Sequence, residues 1–184
     1  DQLSFLDYQI KTKPAEALAK AGEAPHIDYL SFSQIETFKT CPMHYKLRYI
    51  YKVPTPPSAS QSFGTAMHAA LKELFEGISN KQMPNDKLAH KLLEKNWISE
   101  GYKSKSQEAD FFKKGKLYLS GFLKDGYNPK IKMIALEQPF TLPLVSSIES
   151  QVSPLKIGGR LDRVDDIGNG TIEIIDYKTG ATIP

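Results

Sequence analysis

Apolar positions recur along this chain with two periods, and the change from one to the other divides it. In "FGTAMHAALKELFEG", His68, Leu71 and Phe75 fall at i, i+3 and i+7, the spacing of one helix face. Thr65 reads as the N-cap of that helix. Asp86–Tyr102 and Ser106–Leu123 keep the same period, the second setting Phe111, Phe112, Leu119 and Phe122 against Lys113, Lys114 and Lys116. Upstream, Ser33 and Glu36 have capping-box spacing and predict a helix start at Gln34. Thr40-Cys41-Pro42 interrupts it, and Pro42 suits the first turn of another helix, on which Tyr45, Arg48 and Tyr49 share a face. Val53–Ser60 is a Pro-rich loop. From Ile131 onward strand-like runs take over, at Ile131–Leu142, Leu155–Asp166 and Thr171–Thr179. Helices followed by a meander argue for an α+β fold, a mixed or antiparallel-meander sheet flanked by helices. Residues 1–28 are polar and Ala-rich, broken by Pro14 and Pro25, and read as an N-terminal arm with one short helix at Ala15–Ala21. The domain proper is then 29–184, helical over 29–127 and sheet over 128–184.

The last two strand-like runs raise a question of charge. "GGRLDRVDDIGNGTIEIIDYKTG", Gly158–Gly180, reads as a hairpin turning at Gly168-Asn169-Gly170. Strand side chains alternate faces, so Asp176 and Lys178 point one way, with Ile172 and Ile174. An odd-length loop centred on Asn169 sets Val164 opposite Ile174 and Asp162 opposite Asp176. Directly paired residues have β-carbons roughly 4.5–5.5 Å apart. Two carboxylates that close repel, and a cation between them turns repulsion into binding. Oxygen ligands on a hard cation suit Mg²⁺, or Mn²⁺ in its place. The inference depends on register, because a one-residue slip sends Asp162 to the other face. The plainer alternative is a solvated hairpin with its charges on the wet side. Against it, both strands carry apolar residues on each face, as buried central strands do.

Length and charge add limits. The 184 residues suffice for one domain with a sizeable core. No apolar run is long enough to span a membrane and no signal peptide opens the chain, so the expected setting is cytoplasmic and away from membranes. The first residue is Asp rather than Met, which reads as a fragment or processed product. A net charge of +3 is compatible with nucleic acid without requiring it. Cys41 is the only cysteine, so no internal disulfide forms and no four-cysteine iron–sulfur cluster fits within the chain. Cys41 then reads as a packing residue.

Four blocks in order carry a resemblance: "SFSQIETFKTCPMHYKLRYI", "FGTAMHAAL", "GGRLDRVDD" and "IIDYKTG". From about Tyr29 to the end, the chain resembles the RecB-like nuclease branch of the PD-(D/E)xK superfamily. That branch includes nuclease domains of UvrD/Rep-type helicase–nucleases and CRISPR-associated exonucleases. The resemblance implies a restriction-endonuclease-like core. It implies Mg²⁺ or Mn²⁺ bound by His68, Asp162, Asp176 and the backbone carbonyl of Tyr177, with Lys178 as the catalytic lysine. Glu137, in "LEQPF", takes a strand position where relatives often place an acidic residue near the site; a Glu on a strand is also commonly just solvated. Arg163 pairs with a carboxylate or touches a phosphate. A lone His on an apolar helix is more often a core histidine, and only the register of the other blocks makes His68 a ligand.

The implied function is a divalent-metal-dependent deoxyribonuclease domain, exonuclease-like, in DNA repair or recombination, with a fused or associated helicase. Its products are a 5′-phosphate and a 3′-hydroxyl. Arg48, Lys113, Lys114 and Lys116 would track the DNA backbone, although charged helix faces are usual in soluble proteins. The alternative is a catalytically silent nuclease-fold module that binds DNA or braces a helicase. A sequence-specific restriction endonuclease on the same core is disfavoured by the helicase-associated "SFSQIETFKTCP" block. The family commonly continues past "DYKTG" with a helix bearing a Gln and a Tyr. The chain therefore reads either as C-terminally truncated or as a minimal member of the family. If truncated, it is expected to expose apolar surface around Ile172–Ile175, and to self-associate or work weakly until the segment is restored.

Overall fold

The structure is a computed structural model and describes residue 27 and residues 29–130, 132–144 and 155–180. The helix expected at Ala15–Ala21 and the start of a strand at Ile131 lie outside the described residues. The chain divides into two compact units, residues up to 54 with 141–159, and residues 55–140 with 160 onward. Among the described residues no helix is long and apolar enough to cross a membrane.

In the first unit, helix α1 (Phe32–Thr40) begins two residues earlier than its pattern predicts. Ser31, not Ser33, is the cap: it is extended at φ −91°, ψ 161°, and its hydroxyl accepts the Gln34 N–H at 3.3 Å. Glu36 turns to Lys39 instead of closing a capping box. Cys41 ends α1 and starts α2 (Pro42–Tyr45), which runs into a π-helical turn at Lys46–Ile50. Pro42 occupies the first turn as expected. The packing role expected of Cys41 is not what the structure shows. The residue is exposed, and its sulfur accepts the His44 N–H at 3.4 Å as a helix cap. Leu30 bridges in parallel to Ile157. Here Gly158 is needed for space, because a β-carbon on it would lie 2.5 Å from the Tyr29 ring.

The second unit is built on α3 (Ala59–Ser79). Thr65 is not its cap but lies inside it. Ser58 caps the helix, in a closed box: its hydroxyl accepts the Gln61 N–H at 3.3 Å, and Gln61 Oε1 accepts the Ser58 N–H at 2.8 Å. The Ser-x-x-Gln signal sits in the Pro-rich loop, and Gly64 hides the continuity of the helix. Phe63, Met67, Ala70, Leu74 and Phe75 bury one face of α3. Helix α4 (Asp86–Lys95) stops short of the expected Tyr102, because Asn96 closes it, its side-chain amide donating to Leu92 O at 2.9 Å. Trp97 and Tyr102 then stack, ring centroids 5.7 Å apart. Helix α5 (Lys105–Gly121) follows, ending in a π turn at Phe122–Gly126. Leu93 of α4 and Leu119 of α5 complete the core with α3.

Gly115 is where α5 meets this core. A β-carbon there would stand 2.9 Å from Leu93 Cδ2 and 3.3 Å from both Met67 Sδ and Phe63 Cε2. Gly→Ala in a helix normally gains up to about 1 kcal/mol, while overpacking a core costs about 1–3 kcal/mol. Gly115→Ala is therefore expected to lower the urea midpoint. Gly121→Ala, with nothing within 4 Å of its β-carbon, is expected to hold or raise it.

Strands β1 (Lys132–Pro143), β2 (Lys156–Gly168) and β3 (Thr171–Ile175) form a three-stranded sheet in that order, a meander as predicted. β2 and β3 are antiparallel, with Val164 opposite Ile174, the expected register. The route differs. Asn169 and Gly170, at φ 54° and 74°, make a two-residue turn of the mirror-image kind that hairpin twist favours. A bulge between Asp166 and Gly168 then shifts pairing by one residue, which restores the register a three-residue loop would give. Two expectations are corrected. β3 stops at Ile175, not Thr179, because the Tyr177 N–H bonds the Asp162 carboxylate at 2.7 Å and so leaves the backbone ladder. Nor is β3 buried on both faces: Ile172 and Ile174 are more than half exposed, while Ile175 is half-buried.

Candidate active site

Three elements of the second unit each deliver one polar side chain to a common point. α3 brings His68, from the same helix face as core residues Leu71 and Phe75. β2 brings Asp162, two residues before buried Val164. β1 brings Glu137, and there the strand is irregular. Glu137 has φ +48°, the left-handed region that a non-glycine residue rarely enters. Met133 and Leu136, three residues apart, both pack against the helical core, which strict alternation forbids. β1 is thus irregular on its way into the site, and Glu137 itself holds a strained backbone there, as residues beside functional sites often do.

One ligand atom from each of His68, Glu137 and Asp162 lies within 4.8 Å of the others. His68 Nδ1 is 3.3 Å from Asp162 Oδ1. The other oxygen, Oδ2, accepts the Tyr177 N–H at 2.7 Å. Glu137 is met from outside by Arg160, at 3.4 Å. Burial holds the Asp162 carboxyl above its usual range, against the pull of the Tyr177 N–H and His68, and the charges of Asp176 and Glu137 push it further the same way. An imidazole and two carboxylates this close fit a hard divalent cation, which relieves their repulsion.

Asp176 is not in that trio. Its carboxylate pairs with Lys178 Nζ at 2.7 Å, both side chains about half exposed. Its charge adds to the upward push on Asp162, but the β2–β3 ladder ends at Arg163 with Ile175, one pair short of the direct pairing of Asp162 with Asp176 read from the hairpin. Tyr177 meets Asp162 through its N–H, and burial pushes its phenol up to about 12.

Arg163 does not reach for a phosphate. It is 4% exposed, its guanidinium paired with Asp165 at 3.0 Å and donating to the Tyr177 hydroxyl at 2.9 Å. The carboxylate partner that the sequence offered as one option is the outcome. Lys113 is exposed, whereas Lys114 and Lys116 lie over the rings of Tyr118 and Phe112, at 5.2 and 4.6 Å. In the first unit, Arg48 is exposed and lies 5.5 Å over Tyr49. Sequence reasoning missed Arg160, whose only signal is its place two residues before Asp162.

A family model described as the PD-(D/E)XK nuclease superfamily matches residues 29–184. The chain belongs to this superfamily. Its α+β meander with helical cover agrees with the restriction-endonuclease-like core expected of a PD-(D/E)XK nuclease. Asp176-Tyr177-Lys178 has the D-x-K spacing that appears in the superfamily's name. A curated relative, one subunit of an ATP-dependent helicase/deoxyribonuclease of Clostridium tetani (strain Massachusetts / E88), is 28% identical over 182 residues. The match covers 82% of this chain and 15% of that protein. This PD-(D/E)XK chain thus corresponds to a small part of a much longer relative.

Proposed function

We propose that this chain is the nuclease domain of a helicase–nuclease acting in DNA repair or recombination, in the cytoplasm, and that it hydrolyses DNA phosphodiester bonds with Mg²⁺ or Mn²⁺. The observation that carries the reading is the convergence of His68, Glu137 and Asp162 within a PD-(D/E)XK chain. These three would hold the cation, joined by Asp176 and the Tyr177 carbonyl. When bound, the cation supplies Lewis-acid activation of the attacking water and stabilises negative charge on the phosphate. Asp162 keeps one oxygen on the Tyr177 N–H and offers the other, beside His68, as the ligand. Glu137, with its left-handed backbone, brings a second carboxylate to the same point. Lys178, next to these acids and half exposed, orients the attacking water or neutralises the phosphoryl oxygens. Arg48, Lys113, Lys114 and Lys116 hold the phosphate backbone without reading bases.

The test is hydrolysis of labelled single- and double-stranded DNA, linear and circular, by the whole chain with Mn²⁺ or Mg²⁺ and with a chelator, beside calorimetric Mn²⁺ titration. Cation-dependent cleavage that needs a free end is expected. A chain that neither binds Mn²⁺ nor cleaves is the silent nuclease-fold module instead.

A further inference from the structure

The run Asp176-Tyr177-Lys178 carries three of the groups just assigned, yet no strand holds it. The last β2–β3 pair is Arg163 with Ile175, and β3 ends there. Tyr177 is what ties the run down, and it is held at both ends. Its backbone N–H donates to Asp162 at 2.7 Å, and its hydroxyl accepts from Arg163 Nη1 at 2.9 Å.

Arg163 is itself fixed on three sides. Its Nε donates to Asp165 Oδ2 at 3.1 Å, and its Nη2 is ion-paired with the same oxygen at 3.0 Å. Its guanidinium lies 4.3 Å from the Phe75 ring and 5.8 Å from that of Tyr177, two rings only 15° from parallel. Phe122 and His68 meet the Tyr177 ring edge-on, each at 6.1 Å. Such a site suits Arg and not Lys, because only a planar fork can stack on rings while donating to two partners. Arg163 and Asp165 are 4% and 2% exposed. A buried ion pair gives little net stability against its desolvation cost, so stability alone is a weak reason for charges here. In an extended run, the residues flanking Tyr177 turn opposite to it, so the rotation of Tyr177 about the backbone sets where Asp176 and Lys178 point.

We infer that Arg163 is a positioning residue. Through the Tyr177 hydroxyl it locks the rotation of the Asp176-Tyr177-Lys178 run, so that the Tyr177 N–H stays on Asp162 and Asp176 and Lys178 face the cation site together. The inference deepens the metal-nuclease reading and rests on it for its consequence, not for its geometry.

The test uses the whole chain with Tyr177→Phe, which keeps the stacked ring and removes only the hydroxyl, and with Arg163→Lys. Amide hydrogen exchange, read by NMR without metal, reports the clamp itself. Exchange at the Tyr177 amide, which is bonded to Asp162, should quicken at least about 10-fold, while buried amides of α3 such as Leu74 keep their protection. Mn²⁺ affinity, read by calorimetry, should fall about 10-fold or more, as it does when groups supporting metal ligands are lost. A general loss of stability would instead speed exchange across the whole unit. Folded Tyr177→Phe with wild-type protection at the Tyr177 amide overturns the inference, and so does unchanged Mn²⁺ affinity in a chain whose wild type binds. If wild type binds no Mn²⁺, the nuclease reading fails and the exchange result decides the clamp. If Arg163→Lys does not fold, Tyr177→Phe decides.

Discussion

Lys178→Ala is expected to abolish DNA cleavage while leaving the cation site intact. The ammonium offers no lone pair to a metal, so its removal takes no ligand away. Among the described residues it pairs with Asp176, at 2.7 Å with both side chains about half exposed, and exposed pairs are worth about 0–1 kcal/mol. Folding should therefore barely change. Losing a group that orients water or meets developing charge costs about 10²–10⁴-fold in rate. Asp176, released from its pair, is free to turn to the cation, so Mn²⁺ affinity should hold or rise slightly. Single-turnover cleavage of a labelled oligonucleotide, run beside Mn²⁺ calorimetry on the same preparation, reads both effects. Wild-type turnover in this variant would show that Lys178 has no catalytic part.

The parts of this site that could be read from sequence are those governed by period and spacing. Alternation along β3 and the turn at Asn169 fix which residues of the hairpin meet, and the bulge beside Gly168 happens to preserve that register. His68 lies on the core face of its helix because i, i+3 and i+7 are geometry, not chemistry. Other features depend on things a linear pattern does not encode. Glu137 joins the trio through a positive φ, and nothing in "LEQPF" demands one. Arg163 looks like a surface cation because most arginines are; its burial depends on two rings brought from α3 and from beyond β3. The start of α3 is hidden by competing signals, Thr65 after a glycine and Ser58 after prolines, and only the closed box at Ser58 decides between them.

Asp162→Asn should show that the acid is kept for binding and not for folding. The folded chain holds this carboxyl above its ordinary range, with burial the main cause and the Asp176 and Glu137 charges adding to it. A folded-state pKa raised above the unfolded value means that the ionised form costs stability. That cost is present at neutral pH and disappears as pH falls through the raised pKa toward the unfolded one. The amide oxygen of Asn can still accept the Tyr177 N–H, so the bond that holds the D-x-K run survives. Without metal at pH 7, the variant is therefore expected to melt at or above the wild-type temperature. The two melting temperatures should draw together as the buffer is made acidic. Removing the charge also removes the ligand that faces His68 at 3.3 Å, so Mn²⁺ affinity should fall by more than about 100-fold, beyond the loss usual for a supporting group. Mn²⁺ should then raise the melting temperature of wild type and not of the variant. A variant that melts lower than wild type without metal, yet still gains stability from Mn²⁺, would mean that Asp162 is a structural acid and that the cation, if any, is held by other residues.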